Sequence, residues 1–170
     1  MKNFSGNQWD RFRGLEPLLN QCEGWSILDV GMSDGLVAYE FARRGAKKVH
    51  GLDIEADRVE FARRLFSAVP VQSRFSCLDC SKVESLRKGT DSSYDLVLFL
   101  AVYQKLERKG CPDLPRVMEA ITSRAGKYFA LRSSSERGIS YRPVGFSLWR
   151  SIGRQGEVGP LNIFRRETEA

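Results

Sequence analysis

The chain has 170 residues, 42% of them hydrophobic, which suits one domain with a packed core and leaves no room for a second. Its longest apolar run, Leu96 to Val102, is too short to span a bilayer, and no apolar stretch follows Lys2 as a secretory leader would require; a soluble, cytoplasmic protein with no membrane partner is expected. The formal charge is +6, and residues 124–170 hold eight Arg and one Lys against four Glu, so 9 − 4 = +5 of it sits there.

The elements alternate along the chain. An amphipathic segment, Trp9 to Asn20, comes first. Ser26 to Val30 reads as a strand, and Leu36 to Arg44 as a helix by its Leu36, Val37, Phe41 spacing, with Gly45 where a C-terminal cap belongs. Lys48 to Leu52 is the next strand, Arg58 to Phe66 a helix with Val59, Ala62, Leu65 and Phe66 on one face, and Val71 to Leu78 a third strand. Tyr94 to Val102 is apolar almost throughout, as a central strand covered on both faces should be. Met118 to Ser123 lies in a further helix ended by Gly126, and Lys127 to Leu131 is the fifth strand. Beyond Arg132 the alternation stops. Residues 133–145 read as a loop, and Phe146 to Arg154 with Leu161 to Arg166 form a closing hairpin around QGEVGP.

Four cysteines, at 22, 77, 80 and 111, are too few and too irregular for a disulfide framework. Cys77 and Cys80 form a CxxC, but a structural zinc needs four ligands and His50 is the only histidine, so no metal is assigned and two half-buried strand cysteines are the simpler reading. The basic C-terminal region either faces a nucleic acid or is a solvated surface; no recognisable nucleic-acid module accompanies it.

The chemistry gathers at Ile27-Leu28-Asp29-Val30-Gly31-Met32-Ser33-Asp34-Gly35, a strand running into a glycine turn that opens a helix. Gly31 and Gly35 allow a tight turn and close approach of a ligand. Asp53 ends the second strand, the placement from which a carboxylate accepts both hydroxyls of an adenosine ribose. The carboxylates of Asp29 and Asp34 would repel a pyrophosphate and suit a cationic sulfonium and ammonium, a sign argument for S-adenosylmethionine (SAM) over NAD. GxGxxG is also absent.

DVGMSDG, the acidic end of GLD, Leu78-Asp79 after the third strand, YDLVLFLAV and the closing hairpin resemble the class I SAM-dependent methyltransferases over residues 9–166. The resemblance implies one α/β domain, a doubly wound, mostly parallel seven-stranded sheet of order 3-2-1-4-5-7-6 with strand 7 antiparallel, helices on both faces, and a shortened connection between strands 5 and 6. It implies that Asp29, Gly31, Met32, Ser33 and Gly35 surround the methionine part of SAM, Asp53 holds the ribose, Ile54 packs on adenine, and Asp79 with Cys80 meets the adenine edge. Phe99 and Leu100 would line the methyl-transfer side. Where the family prefers GxGxG, Ser33 must adopt a backbone shape that glycine takes easily.

Many relatives place a histidine pair after the fourth strand, where this chain has Gln104 and Lys105. Tyr103 and Lys105 are the catalytic candidates, with Lys105 alternatively an anchor for an anionic acceptor or a solvent-facing lysine. His50 is expected in the core or at an edge. Residues 1–24, with Trp9, Arg11 and Arg13, are candidates for a lid, although Trp9 suits plain packing equally. Three readings stand: methyl transfer to an oxygen or nitrogen of a small molecule or glycan, methylation of nucleic acid docked on the basic region, and a non-catalytic module whose acceptor site a partner subunit completes.

Overall fold

A computed structural model describes residues 11–156 and 158–168; Trp9 lies outside them. Its strands are β1 (Ser26–Val30), β2 (Lys48–Asp53), β3 (Gln72–Cys77), β4 (Tyr94–Leu100), β5 (Ala125–Arg132), β6 (Phe146–Ile152) and β7 (Leu161–Arg166). The helices are α1 (Glu16–Leu19), α2 (Leu36–Arg43), α3 (Ala56–Phe66), α4 (Val83–Gly89), α5 (Tyr103–Arg108) and α6 (Leu114–Thr122). The sheet runs β3-β2-β1-β4-β5-β7-β6, with β7 antiparallel to both β5 and β6 and the other pairings parallel, as the resemblance implied.

Helices cover both faces because each crossover returns over the side its apolar stripe can bury. On one face Leu18 of α1, Phe41 of α2 and Val59 and Phe66 of α3 pack on Ile27, Val49, Leu96 and Ala130. On the other, Leu86, Leu106 and Val117 of α4, α5 and α6 pack on Leu28, Val97, Phe99 and Phe129. Alternate residues of β4 therefore serve opposite cores, which is why YDLVLFL carries no polar face.

Several expectations need adjustment. Among the described residues of the Trp9–Asn20 segment, the α-helical ones are the four of α1, preceded by a short 3-10 turn at residues 11–12. The fourth strand ends at Leu100, and Ala101 adopts φ +62°, turning the chain sharply at the sheet's upper rim. Helix α6 stops at Thr122, and Gly126 lies inside β5, where a Cβ would come within 2.9 Å of Ser93 Oγ and 3.1 Å of the Tyr94 carbonyl. That glycine serves a close strand approach at the β4–β5 register shift, not a helix cap. Helices α4 and α5 were not foreseen, since Leu86 and Leu106 are their only buried residues and a single apolar position makes no periodicity.

The N-terminal stretch crosses the sheet. Arg132 at the end of β5 is 5% exposed and donates from Nη1 to the Arg11 carbonyl at 2.6 Å and from Nη2 to the Arg13 carbonyl. Burial brings its guanidinium down to about 10, with Glu16 acting in the opposite sense. Its Nε is buried with no hydrogen-bond partner. Arg132→Met keeps the length of the chain and removes both carbonyl bonds, so residues 11–14 should become cleavable by trypsin at Arg11 and Arg13 and stability should fall by about 1–3 kcal/mol. Limited proteolysis of the two proteins, followed by mass spectrometry, checks this: identical cleavage would mean the strap is held by its own packing.

Candidate functional site

A cleft of about 400 Å³ opens where the carboxyl ends of β1, β2 and β3 meet the segment after β4. Open α/β sheets leave a crevice there because neighbouring connections turn away to opposite faces. Of the foreseen site residues, Gly31, Ser33, Asp53, Ile54, Asp79, Cys80 and Lys105 line it.

The turn after β1 forms one end. Gly31 has φ +75°, and a Cβ there would lie 2.4 Å from Val102 Cγ2, so only glycine fits between the turn and the start of α5. Gly31 and Met32 both donate backbone N–H to the Leu52 carbonyl, at 2.8 and 2.9 Å. Ser33 does take the left-handed conformation, φ +57°, at a cost of about 1–2 kcal/mol for a residue with a Cβ. What offsets it is Asp53, whose Oδ2 accepts the Ser33 N–H at 2.8 Å while Oδ1 accepts the Glu55 N–H at 3.0 Å. The carboxylate thus ties the β1 turn to the β2 turn and keeps a lone pair on each oxygen for a ligand.

Asp29 is 3% exposed at the end of β1. Burial raises its carboxyl from 3.8 to about 7, and the neighbouring charges of Asp53 and Asp34 push the same way. Asp34 meets the Arg11 guanidinium at 3.0 Å. Three carboxylates therefore gather around one turn, and the innermost, Asp29, has no paired cation among the described residues.

At the far end, Asp79 accepts from Ser81 Oγ at 2.6 Å and from the Ser81 N–H at 3.0 Å, contacts that hold its carboxyl below the usual range. Cys80 lies in the turn beyond β3, half-buried, and burial pushes its thiol up to about 12. Cys77, at the end of β3, is exposed and its thiol donates to the Ile54 carbonyl at 3.4 Å, so the two do not form a pair of half-buried strand cysteines. Among the described residues no three His, Cys, Asp or Glu side chains converge as a metal ion would need.

The remaining foreseen residues lie behind the cleft. Met32 is 5% exposed and packs against Gly51, Gly35 caps α2 against Ala62, Phe99 is fully buried in the second core, and Leu100 leans on the first. Val102 and Leu106 form the apolar wall that Phe99 and Leu100 were expected to supply. Tyr103 is half-buried in the second core, its phenol raised by burial and then by Glu107. Gln104 faces away: Nε2 donates to Ser133 Oγ, and Oε1 accepts the Ser134 N–H at 2.9 Å, which latches the loop after β5 to α5. His50 is completely buried, with Nδ1 2.7 Å from Tyr94 Oη and Nε2 3.2 Å from Ser76 Oγ. Burial, and secondarily Arg74, lowers it to about 4, so it stays neutral in the core. The sequence reading missed Lys109 and Cys111, although Lys105 and Lys109 stand one helical turn apart directly after the fourth strand.

Over residues 27–125, more than half its length, the sequence matches the family described as methyltransferase domain. The chain belongs to this family. The methyltransferase domain is also similar to a ubiquinone biosynthesis O-methyltransferase of Neisseria meningitidis serogroup C, 26% identical over 148 residues, covering 81% of the chain and 61% of that protein. The chain thus spans less than two thirds of this relative's length. Among solved structures, the magnesium protoporphyrin IX methyltransferase of Synechocystis PCC 6803 with bound SAM superposes with a TM-score of 0.68 at 17% identity, over 93% of this chain and 80% of that one. A putative methyltransferase of Escherichia coli gives 0.69 at 14% identity, over 98% and 90%. At those identities the structures establish a shared Rossmann-like methyltransferase fold.

Proposed function

We propose that this methyltransferase domain binds SAM in the cleft and transfers its methyl group to an oxygen or nitrogen of a small molecule or glycan. The observation that carries the reading is the carboxylate cluster Asp29, Asp34 and Asp53 around a glycine turn: an acid raised to about 7 by burial, and secondarily by its like-charged neighbours, gains most from a ligand that brings positive charge. SAM supplies a sulfonium and an ammonium, and its methyl carbon is activated for in-line displacement. Asp53 has free lone pairs for the ribose, and Ile54, 57% exposed at the cleft mouth, offers an apolar face for adenine. The relatives point the same way, since ubiquinone biosynthesis and protoporphyrin methylation concern small molecules.

The basic C-terminal region gives the nucleic-acid reading little support. Arg132 is buried, Arg124, Lys127 and Arg154 are bound to Thr90, Asp95 and Glu136, and Arg142, Arg150 and Arg166 lie over aromatic rings.

Titration calorimetry of the chain with SAM, with S-adenosylhomocysteine and with NAD tests the cofactor. Both adenosyl ligands should bind and NAD should not. Binding of NAD in preference to either would remove the reading.

A further inference from the structure

The cleft carries opposite charge on its two sides. Among the described residues, Asp53, Glu55 and Asp79 outnumber the single cation Arg58 at the ends of β2 and β3, whereas Lys105 and Lys109 stand on the α5 side, with the Lys109 N–H bonded to the Lys105 carbonyl at 3.1 Å so that both share one helical face. Lys109 lies within Coulombic reach of Asp79 without an ion pair to it. Lys105 has no ion pair and no side-chain hydrogen bond with any described residue.

The same cleft offers little to take a proton. No imidazole lines it among the described residues, since His50 is buried in the core. Tyr103 and Cys80 are pushed towards staying protonated, the remaining lone pairs of Asp53 are given to the ribose hydroxyls in the SAM reading, and Glu55 Oε2 faces Arg58 at 3.6 Å. Gln104, where a base would be looked for, is committed to Ser133 and Ser134. Asp79 is held below the usual carboxylate range by its bonds from Ser81, and Asp29 lies buried outside the cleft lining, so a cleft with an anion anchor and no well-placed base suits an acceptor that has lost its proton before it arrives.

We propose that the acceptor is an oxyanion already ionised at neutral pH, a carboxylate or an acidic phenol, held by Lys105 with Lys109 behind it. The inference rests on the SAM-dependent reading above. An acceptor oxygen lone pair forms the new O–CH3 bond as the C–S bond breaks, and that bond's electron pair stays on sulfur. One anion and one sulfonium give a neutral ester or ether and a neutral thioether, and no proton moves. The lysine ammonium fixes the oxygen in line, and alignment supplies what a base would otherwise contribute.

The test uses the full chain, SAM labelled in its methyl group, and a metabolite extract freed of protein and nucleic acid, split at pH 7 on an anion-exchange resin into retained and unretained pools. Label should enter the retained pool. With SAM held at saturation by calorimetry of each protein, Lys105→Glu should cut that incorporation by about tenfold or more and Lys105→Arg should keep most of it. Label in the unretained pool, equal labelling by Lys105→Glu, or SAM binding with neither pool labelled overturns the acceptor class. Failure to bind SAM at all would instead remove the reading beneath it. Lys105 is exposed, so both variants should keep the wild-type melting temperature.

Discussion

Replacing Asp53 with alanine should weaken SAM binding by about a hundredfold or more, because two effects act together. The carboxylate is the proposed acceptor for the ribose hydroxyls, and hydrogen bonds to a charged acceptor are each worth about 1.5–3 kcal/mol. It is also the acceptor that holds the Ser33 N–H at 2.8 Å and so keeps a serine at φ +57°, a conformation that glycine takes more easily. Without it, that turn can relax to an ordinary conformation and the binding surface is lost along with the contact. Asp53→Asn, which keeps one oxygen acceptor, should bind between the two. Calorimetry on all three separates the contributions: equal affinity for Asp53→Ala and the parent would show that the ribose lies elsewhere.

The second large effect is at Asp29, and its sign follows from linkage. The carboxyl is at 3.8 when unfolded and about 7 when folded, so between those values the native state holds a proton that the unfolded chain has released. Stability therefore declines as pH rises from about 4 to 7 and stays reduced above it. Asp29→Asn removes that cost, and the ligand-free variant should be more stable than the parent at pH 8 by about 1–3 kcal/mol, less than the full linkage term because the amide is also buried. A cationic ligand reverses the balance. Placing positive charge beside Asp29 favours its ionised form, so SAM binding to the parent at pH 6 should release close to one proton, and binding to Asp29→Asn should release none. Calorimetry in buffers of different ionisation heat counts that proton, and urea unfolding at pH 5 and 8 measures the stability change. A parent that binds SAM without proton release would place the ligand's charge away from Asp29.

Together these two residues explain how a departure from the family's glycine pattern remains compatible with the site. Ser33 costs strain, and Asp53 is close enough to offset it. Asp29 is costly while the site is empty of positive charge and favourable once such charge arrives. The ligand-free domain is thus held away from its own stability optimum by Asp29, the carboxylate that a cationic ligand would favour.

Much of this was legible in the chain itself. Strands β1 and β7 could be bounded to the residue, and β2 to within one, because glycine or proline lies at or near at least one end of each: Gly24 and Gly31 about β1, Gly45 before β2, and Gly159-Pro160 before β7. The glycine turn and Asp53 stand next to strand ends, so local spacing alone brings them to one end of the sheet. The sequence by itself therefore determined the order of the strands, the helices other than α4 and α5, and which end of the sheet carries the cleft. It could not tell which of two adjacent strand residues faces the cleft, because β4 is apolar on both faces and period-two alternation leaves no mark; only packing shows Phe99 buried against the helices and Val102 on the cleft wall. Nor could it join residues far apart in the chain. The grip of Arg132 on the carbonyls of Arg11 and Arg13, the hold of Gln104 on residues 133 and 134, and the proton that burial among like charges lends to Asp29 exist only when the chain is folded, since each depends on distance and exclusion of water rather than on neighbours in sequence.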